Sequence, residues 1–240
     1  MGEGSSSDIY VNSLRILYFI LSIVGLIFTS ILLYTLISKL KKNKHSDIVL
    51  TTIAVSVDCV ASGGLLFRAI FSKYPYNIFQ VHYNWCAYDT MLNNTALTYS
   101  GYVLSVLSVQ RMLLIVFNIR LSIIIWLLIE AVLYFLLSSQ LLYHIIINNV
   151  TVSAVEIFCL VKNVPSANPF FVTILVCTTT TYILTIISYI SIIIFSCKQC
   201  LKQLDLNLDK STVYRECRTI IFKSLFFLIP YMLIYSGRIY

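Results

Sequence analysis

The sequence predicts an all-α integral membrane protein, a bundle of six transmembrane helices, and three observations carry that prediction. Of 240 residues, 59% are apolar and 11% charged, where soluble domains average about 25% charged. Mean hydropathy is +0.87. Six apolar runs are long enough to cross roughly 30 Å of hydrocarbon, which takes about 20 helical residues. Backbone polar groups cannot go unpaired in lipid, so each run must be a helix, and the alternation of a membrane barrel is not seen. The polar stretches between the runs are too short for a soluble catalytic domain. The formal charge of +7 does not point to nucleic acid, because the basic residues lie between apolar runs and not along one solvated stripe.

Residues 1–15 read as an extracellular tail carrying Glu3 and Asp8. The bundle follows over 16–238, with spans near 16–38, 48–72, 84–117, 121–146, 169–197 and 219–238. Ile16 to Ile37 runs 22 residues without a charge, longer than a signal-peptide core, and Lys39, Lys41, Lys42 and Lys44 follow it. With the N-terminus outside, 12 of the 17 Lys and Arg fall on the inner side, as the positive-inside rule requires. A multi-pass protein of the plasma membrane is the expected setting.

That topology also sorts the cysteines and the sequons. Cys86 and Cys159 fall at the outer surface, where an oxidising space makes their pairing the natural one. Cys197, Cys200 and Cys217 fall at the inner surface. Cys197-Lys-Gln-Cys200 has metal or redox spacing but no second ligand pair or nearby His, so structural or palmitoylated juxtamembrane cysteines are the preferred reading and no metal site is assigned. The sequon at Asn149 lies in an outer loop and is a candidate glycosylation site. The sequon at Asn93 lies inside the third run.

Charged and amide side chains within the spans each need a partner or a task, since an ionised group near the bilayer centre costs about 2.5–3.5 kcal/mol even on lenient scales. Asp58 lies ten residues into the second run, about 15 Å deep. Ser100 lies at a matching depth in the third. Cys86, Asp89, Asn93, Ser100 and Arg111 fall within about 60° of one helical face, which should look into the bundle. Arg68, Asp89 and Asn93 lie toward the outer half, where a ligand cavity would open; a rim ion pair between Arg68 and Asp89 is the plainer alternative. Glu130, in the fourth run, reads as a neutral carboxyl satisfied by a neighbour.

Asp58, Trp85-Cys86, the segment Ser-Val-Gln-Arg-Met-Leu-Leu-Ile at 108–115, Cys159, Tyr189 and Pro230 together resemble the rhodopsin-like G-protein-coupled receptors. The resemblance spans nearly the whole chain and matches helices one to six of that seven-helix fold. It implies a sodium pocket at Asp58 and Ser100, an outer disulfide between Cys86 and Cys159, contact of Arg111 with a heterotrimeric G protein, approach of Tyr189 to Arg111, and a helix kink at Pro230. The function it implies is transduction of an extracellular ligand or light signal. No other cofactor is implied, and a receptor dimer is a further partner of the type.

The chain also departs from that pattern. Gln110 and Met112 flank Arg111 where the family usually has an acid and a Tyr, so the carboxylate that would hold the Arg is missing. Leu228 precedes Pro230 where a Trp is common, and Tyr240 ends the sequence before a seventh run. A truncated, non-signalling receptor remnant is therefore the first alternative. A transporter or channel using Asp58 and Glu130 is weaker, since neither internal repeats nor Gly- or Pro-broken helices at matching positions are found. For Asp58, a structural hydrogen-bond hub competes evenly with an ion switch. An enzyme is not expected: His45, His82 and His144 are scattered, and no hydrolase, zinc or phosphate-loop motif occurs.

Overall fold

The computed structural model describes residues 3–42 and 45–205, together with 213–215, 217–219, 221–222, 224–226 and 228–229. Five helices among the described residues are long and apolar enough to cross a membrane, and the protein is an all-α multi-pass bundle. The described positions between 213 and 229 are helical. Pro230 and the rest of the expected sixth span lie outside the described residues.

Helix α1, Glu3–Lys42, begins within the expected tail, and the part of it long and apolar enough to cross a membrane is Ile9–Lys42. Its flanks are apolar on all sides, as lipid demands, with Ile16, Phe28 and Tyr34 exposed. Lys39, Lys41 and Lys42 occupy its last turn and complement the negative end of the helix dipole. Helix α2, Ser46–Phe71, packs along α1 where Gly25 faces Ser62; a Cβ on Gly25 would lie 2.6 Å from the Ser62 hydroxyl. The small residue lets the two backbones approach.

Past α2, the short α3, Ile78–Val81, is capped by the Asn77 side chain, which accepts from the Phe79 N–H. Helix α4, Tyr83–Tyr88, continues through a π-helical stretch, Asp89–Asn94, into α5, Thr95–Val116. Together these make one continuous rod, Tyr83–Val116, and it is the most buried of the spans. The expected inward stripe of 60° is too narrow a description. Tyr102, Val103, Ser105, Val106, Leu107 and Ser108 are buried as well, because the rod is the central pillar and has neighbours on several sides.

Helix α6, Ile123–Ile146, starts at Ser122, whose hydroxyl accepts from the Ile124 N–H. Asn118 and Asn148 follow α5 and α6 with φ of 54° each, the left-handed conformation that Asn tolerates and that commonly ends helices. Between α6 and α7, Asn168–Asp205, the loop forms a small antiparallel hairpin of β1, Val150–Val152, and β2, Cys159–Val161. Val150 pairs with Val161 and Val152 with Cys159. The hairpin lies over the start of the rod, with Ile78, Phe79, Cys86, Val150 and Cys159 in one buried cluster.

Candidate functional site

The rod carries polar contacts at three levels. At the hairpin end, Cys86 and Cys159 are joined by a disulfide, with their Cα atoms 5.4 Å apart. Below it, Arg68 of α2 meets Asp89 through a bidentate pair, Nε to Oδ1 at 2.7 Å and Nη2 to Oδ2 at 3.1 Å. Arg68 Nη2 also donates to Asn94 Oδ1 at 2.6 Å. A π turn explains this double reach: residues five apart stack where a plain α-helix would stack residues three and four apart. Asn93 donates to Asp89 Oδ1 at 2.7 Å, and the backbone N–H of Cys159 donates to Asp89 Oδ2 at 2.9 Å. Asn94 closes the network by donating to the Cys159 carbonyl at 2.8 Å.

Arg68 is 3% and Asp89 0% exposed, so this ion pair is buried and not the rim contact of the plainer reading. Charges this deep require a partner and further hydrogen bonds, and Asp89 has both. Gly64 is what lets α2 come close, since a Cβ there would stand 2.3 Å from Asn93 Oδ1.

A cavity of about 640 Å³ opens beside the network, walled by Arg68, Asn94, Thr98, Phe158, Phe170 and Thr178 among others. Of the three residues expected to line a ligand cavity, only Arg68 does so. Asp89 and Asn93 lie behind it, their polar atoms taken up by Arg68, Cys159 and one another. Asn94, which helical periodicity does not favour over Asn93, lines the wall in its place.

At mid-depth, Ser100 donates to Asp58 Oδ1, linking the rod to α2. At the far end, Arg111 Nε lies 3.2 Å from Asp47 Oδ1, and Gln110 Nε2 donates to the Ser46 hydroxyl at 3.1 Å. Arg111 thus finds its carboxylate partner in the first turn of α2, and Asp47 is a residue that sequence reasoning passed over. Tyr189 of α7 also faces Arg111.

Other expected sites fall differently. Asn149 is 8% exposed, and its amide nitrogen, the atom a glycan would occupy, lies 3.3 Å from His144 Nδ1. Cys197 and Cys200 both lie near the Cys217 thiol; Cys200 is buried and Cys197 half-buried. Glu130 is 3% exposed, and its Oε1 lacks the expected hydrogen-bond partner among the described residues. Its backbone carbonyl, by contrast, accepts from the Tyr99 hydroxyl at 3.2 Å.

Fold and site define a multi-pass α-helical membrane protein with a disulfide-braced cavity at one end of a central helix and a clamped arginine at the other. No family model matches the chain, and no curated protein matches it.

Proposed function

We propose that the protein is a receptor-like signal transducer of the rhodopsin-like type, in which an extracellular ligand in the 640 Å³ cavity biases a two-state bundle and frees Arg111 for a heterotrimeric G protein. One observation carries this reading: a single helix connects the disulfide-braced cavity wall, the Asp58–Ser100 contact and the Arg111–Asp47 ion pair. A ligand that favours one arrangement at the cavity shifts the other end only by its differential affinity for the two states, and a continuous rod supplies the mechanical link. Asp58 with Ser100 is the position for a sodium ion in this reading. The disulfide end faces outward and Arg111 inward, in keeping with the excess of basic residues on the Arg111 side.

The test is nucleotide exchange on a panel of purified heterotrimeric G proteins, with the full chain in lipid nanodiscs and a broad ligand library. Ligand-dependent exchange that disappears in Arg111→Ala supports the proposal. Exchange no greater than that of Arg111→Ala across the panel, from folded protein, overturns it.

A further inference from the structure

We infer that the hairpin-side end of the groove between α1 and α2 binds an anionic single-chain amphiphile, a fatty-acid carboxylate being the simplest example. The inference is independent of whether the protein signals. Two cations converge there on one neutral acceptor: Arg15 Nη1 lies 3.3 Å and Lys73 Nζ 3.2 Å from Asn12 Oδ1. Arg15 is held in place by Ser72, its Nε donating to the Ser72 hydroxyl at 3.1 Å and its Nη2 to the Ser72 carbonyl at 3.2 Å. Ser72 is 1% exposed, so the clamp belongs to the packed part of the bundle. Among the described residues the ion pairs are Arg68–Asp89 and Arg111–Asp47, and neither Arg15 nor Lys73 has a carboxylate partner. Like charges brought together without a counter-ion repel one another, and an anionic head group would relieve that cost through charge-assisted hydrogen bonds.

What lies next to the two cations decides the kind of anion. Asn12, Arg15 and Lys73 form the polar side of a cavity of about 400 Å³ whose other walls are Ile16, Phe19, Ala69, Ile70 and Tyr74. That volume falls within the range of small-molecule sites. A free phosphate would make no use of the apolar walls, whereas a neutral hydrocarbon would leave the two cations without a counter-ion. A zwitterionic phospholipid carries no net charge to offset two cations. A single chain ending in an anion satisfies both halves: the head meets the Arg15 guanidinium and the Lys73 ammonium, and the chain lies against Ile16 and Phe19.

The experiment uses the full chain in phosphatidylcholine nanodiscs and cis-parinarate, a fluorescent fatty acid, displaced by oleate, oleyl alcohol or inorganic phosphate. Oleate should displace it saturably, and oleyl alcohol much less well. The double substitution Arg15→Gln with Lys73→Gln should weaken oleate by about tenfold or more, the scale of hydrogen bonds to a charged partner, and leave oleyl alcohol unchanged. Ala69→Phe, which fills the groove and spares both cations, should weaken oleate too. Should the double variant fail to fold, a salt titration of the unaltered protein takes its place: affinity should fall as ionic strength rises. Oleate affinity that is indifferent to the charge substitutions or to salt, equal affinity for oleyl alcohol, or displacement by phosphate alone would each overturn the inference.

Discussion

Arg111 and Asp47, separated by 64 residues in the chain, meet at 3.2 Å where the end of the central rod crosses the first turn of α2. Their side chains are 29% and 46% exposed, so water screens the pair and its contribution to folding is on the scale of surface ion pairs, about 0–1 kcal/mol. Its placement matters more than its strength. It ties the only basic residue of the inner half of α5 to a neighbouring helix, beside the parallel Gln110–Ser46 contact.

Replacing Asp47 by Asn should therefore leave unfolding in detergent within about 1 kcal/mol of the parent and, on the proposed receptor reading, raise ligand-independent nucleotide exchange on a heterotrimeric G protein. A large loss of stability would show that the pair is structural. Unchanged basal exchange in a protein that does respond to ligand would show that it restrains nothing.

The buried pair at the opposite end should behave in the reverse way. Asp89→Asn leaves the Arg68 guanidinium without its counter-charge at 3% exposure, and breaking one side of a buried pair costs about 3–5 kcal/mol. Arg68→Met should cost a similar amount by orphaning Asp89. The double variant should recover part of that loss but not all, since Asp89 also accepts from Asn93 and from the Cys159 N–H. Unfolding curves for the three variants decide this, and a loss below about 1 kcal/mol in either single variant would contradict the burial argument.

The contrast between these two ion pairs marks how far the sequence could be read. Run lengths and the scarcity of charge gave the helical membrane bundle, because bilayer thickness and backbone hydrogen bonding leave few alternatives. Depth along a helix, at 1.5 Å per residue, was enough to bring Asp58 level with Ser100, and topology was enough to pair Cys86 with Cys159. Angular reasoning fared less well. A uniform 100° per residue has no place for the π stretch at Asp89–Asn94, which turns Asn94 toward the cavity and buries Asn93 behind Asp89. Asp47 was invisible for a different reason: its partner depends on how α2 crosses the rod, and no periodicity within one helix reports a crossing. The hairpin of Val150–Val152 and Cys159–Val161 was hidden by its shortness, three residues a strand, and with it the burial of Asn149.

Two adjacent glycines in α2 give an internal control on that crossing. A Cβ at Gly64 would stand 2.3 Å from Asn93 Oδ1, whereas one at Gly63 would meet nothing within 4 Å. Gly64→Ala should destabilise by about 1–3 kcal/mol through overpacking, since Asn93 is held by Asp89 and cannot swing away freely. Gly63→Ala should be neutral or stabilising by up to about 1 kcal/mol from helix propensity. Comparison of the two unfolding midpoints is the measurement, and equal shifts would mean that α2 does not approach the rod at Gly64.

Removing the disulfide tests whether the hairpin has one anchor or two. Cys86 and Cys159 are 73 residues apart, and closing a loop of that length is worth about 4 kcal/mol on the chain-entropy model. Yet Cys159 is also held through its backbone, its N–H on Asp89 at 2.9 Å and its carbonyl on Asn94 at 2.8 Å. The variant Cys86→Ser with Cys159→Ser should thus lose stability, by roughly 2–4 kcal/mol, while the hairpin stays docked. If both anchors fix the same segment, adding Asp89→Asn to that variant should cost less than the separate losses predict, because each anchor holds the geometry the other uses. A thermodynamic cycle over the parent, the two serine substitutions taken together, Asp89→Asn and the combination measures this directly. A coupling energy below about 0.5 kcal/mol, the scatter expected of independent sites, would show that the sulfur bridge and the Asp89 network act on the hairpin separately.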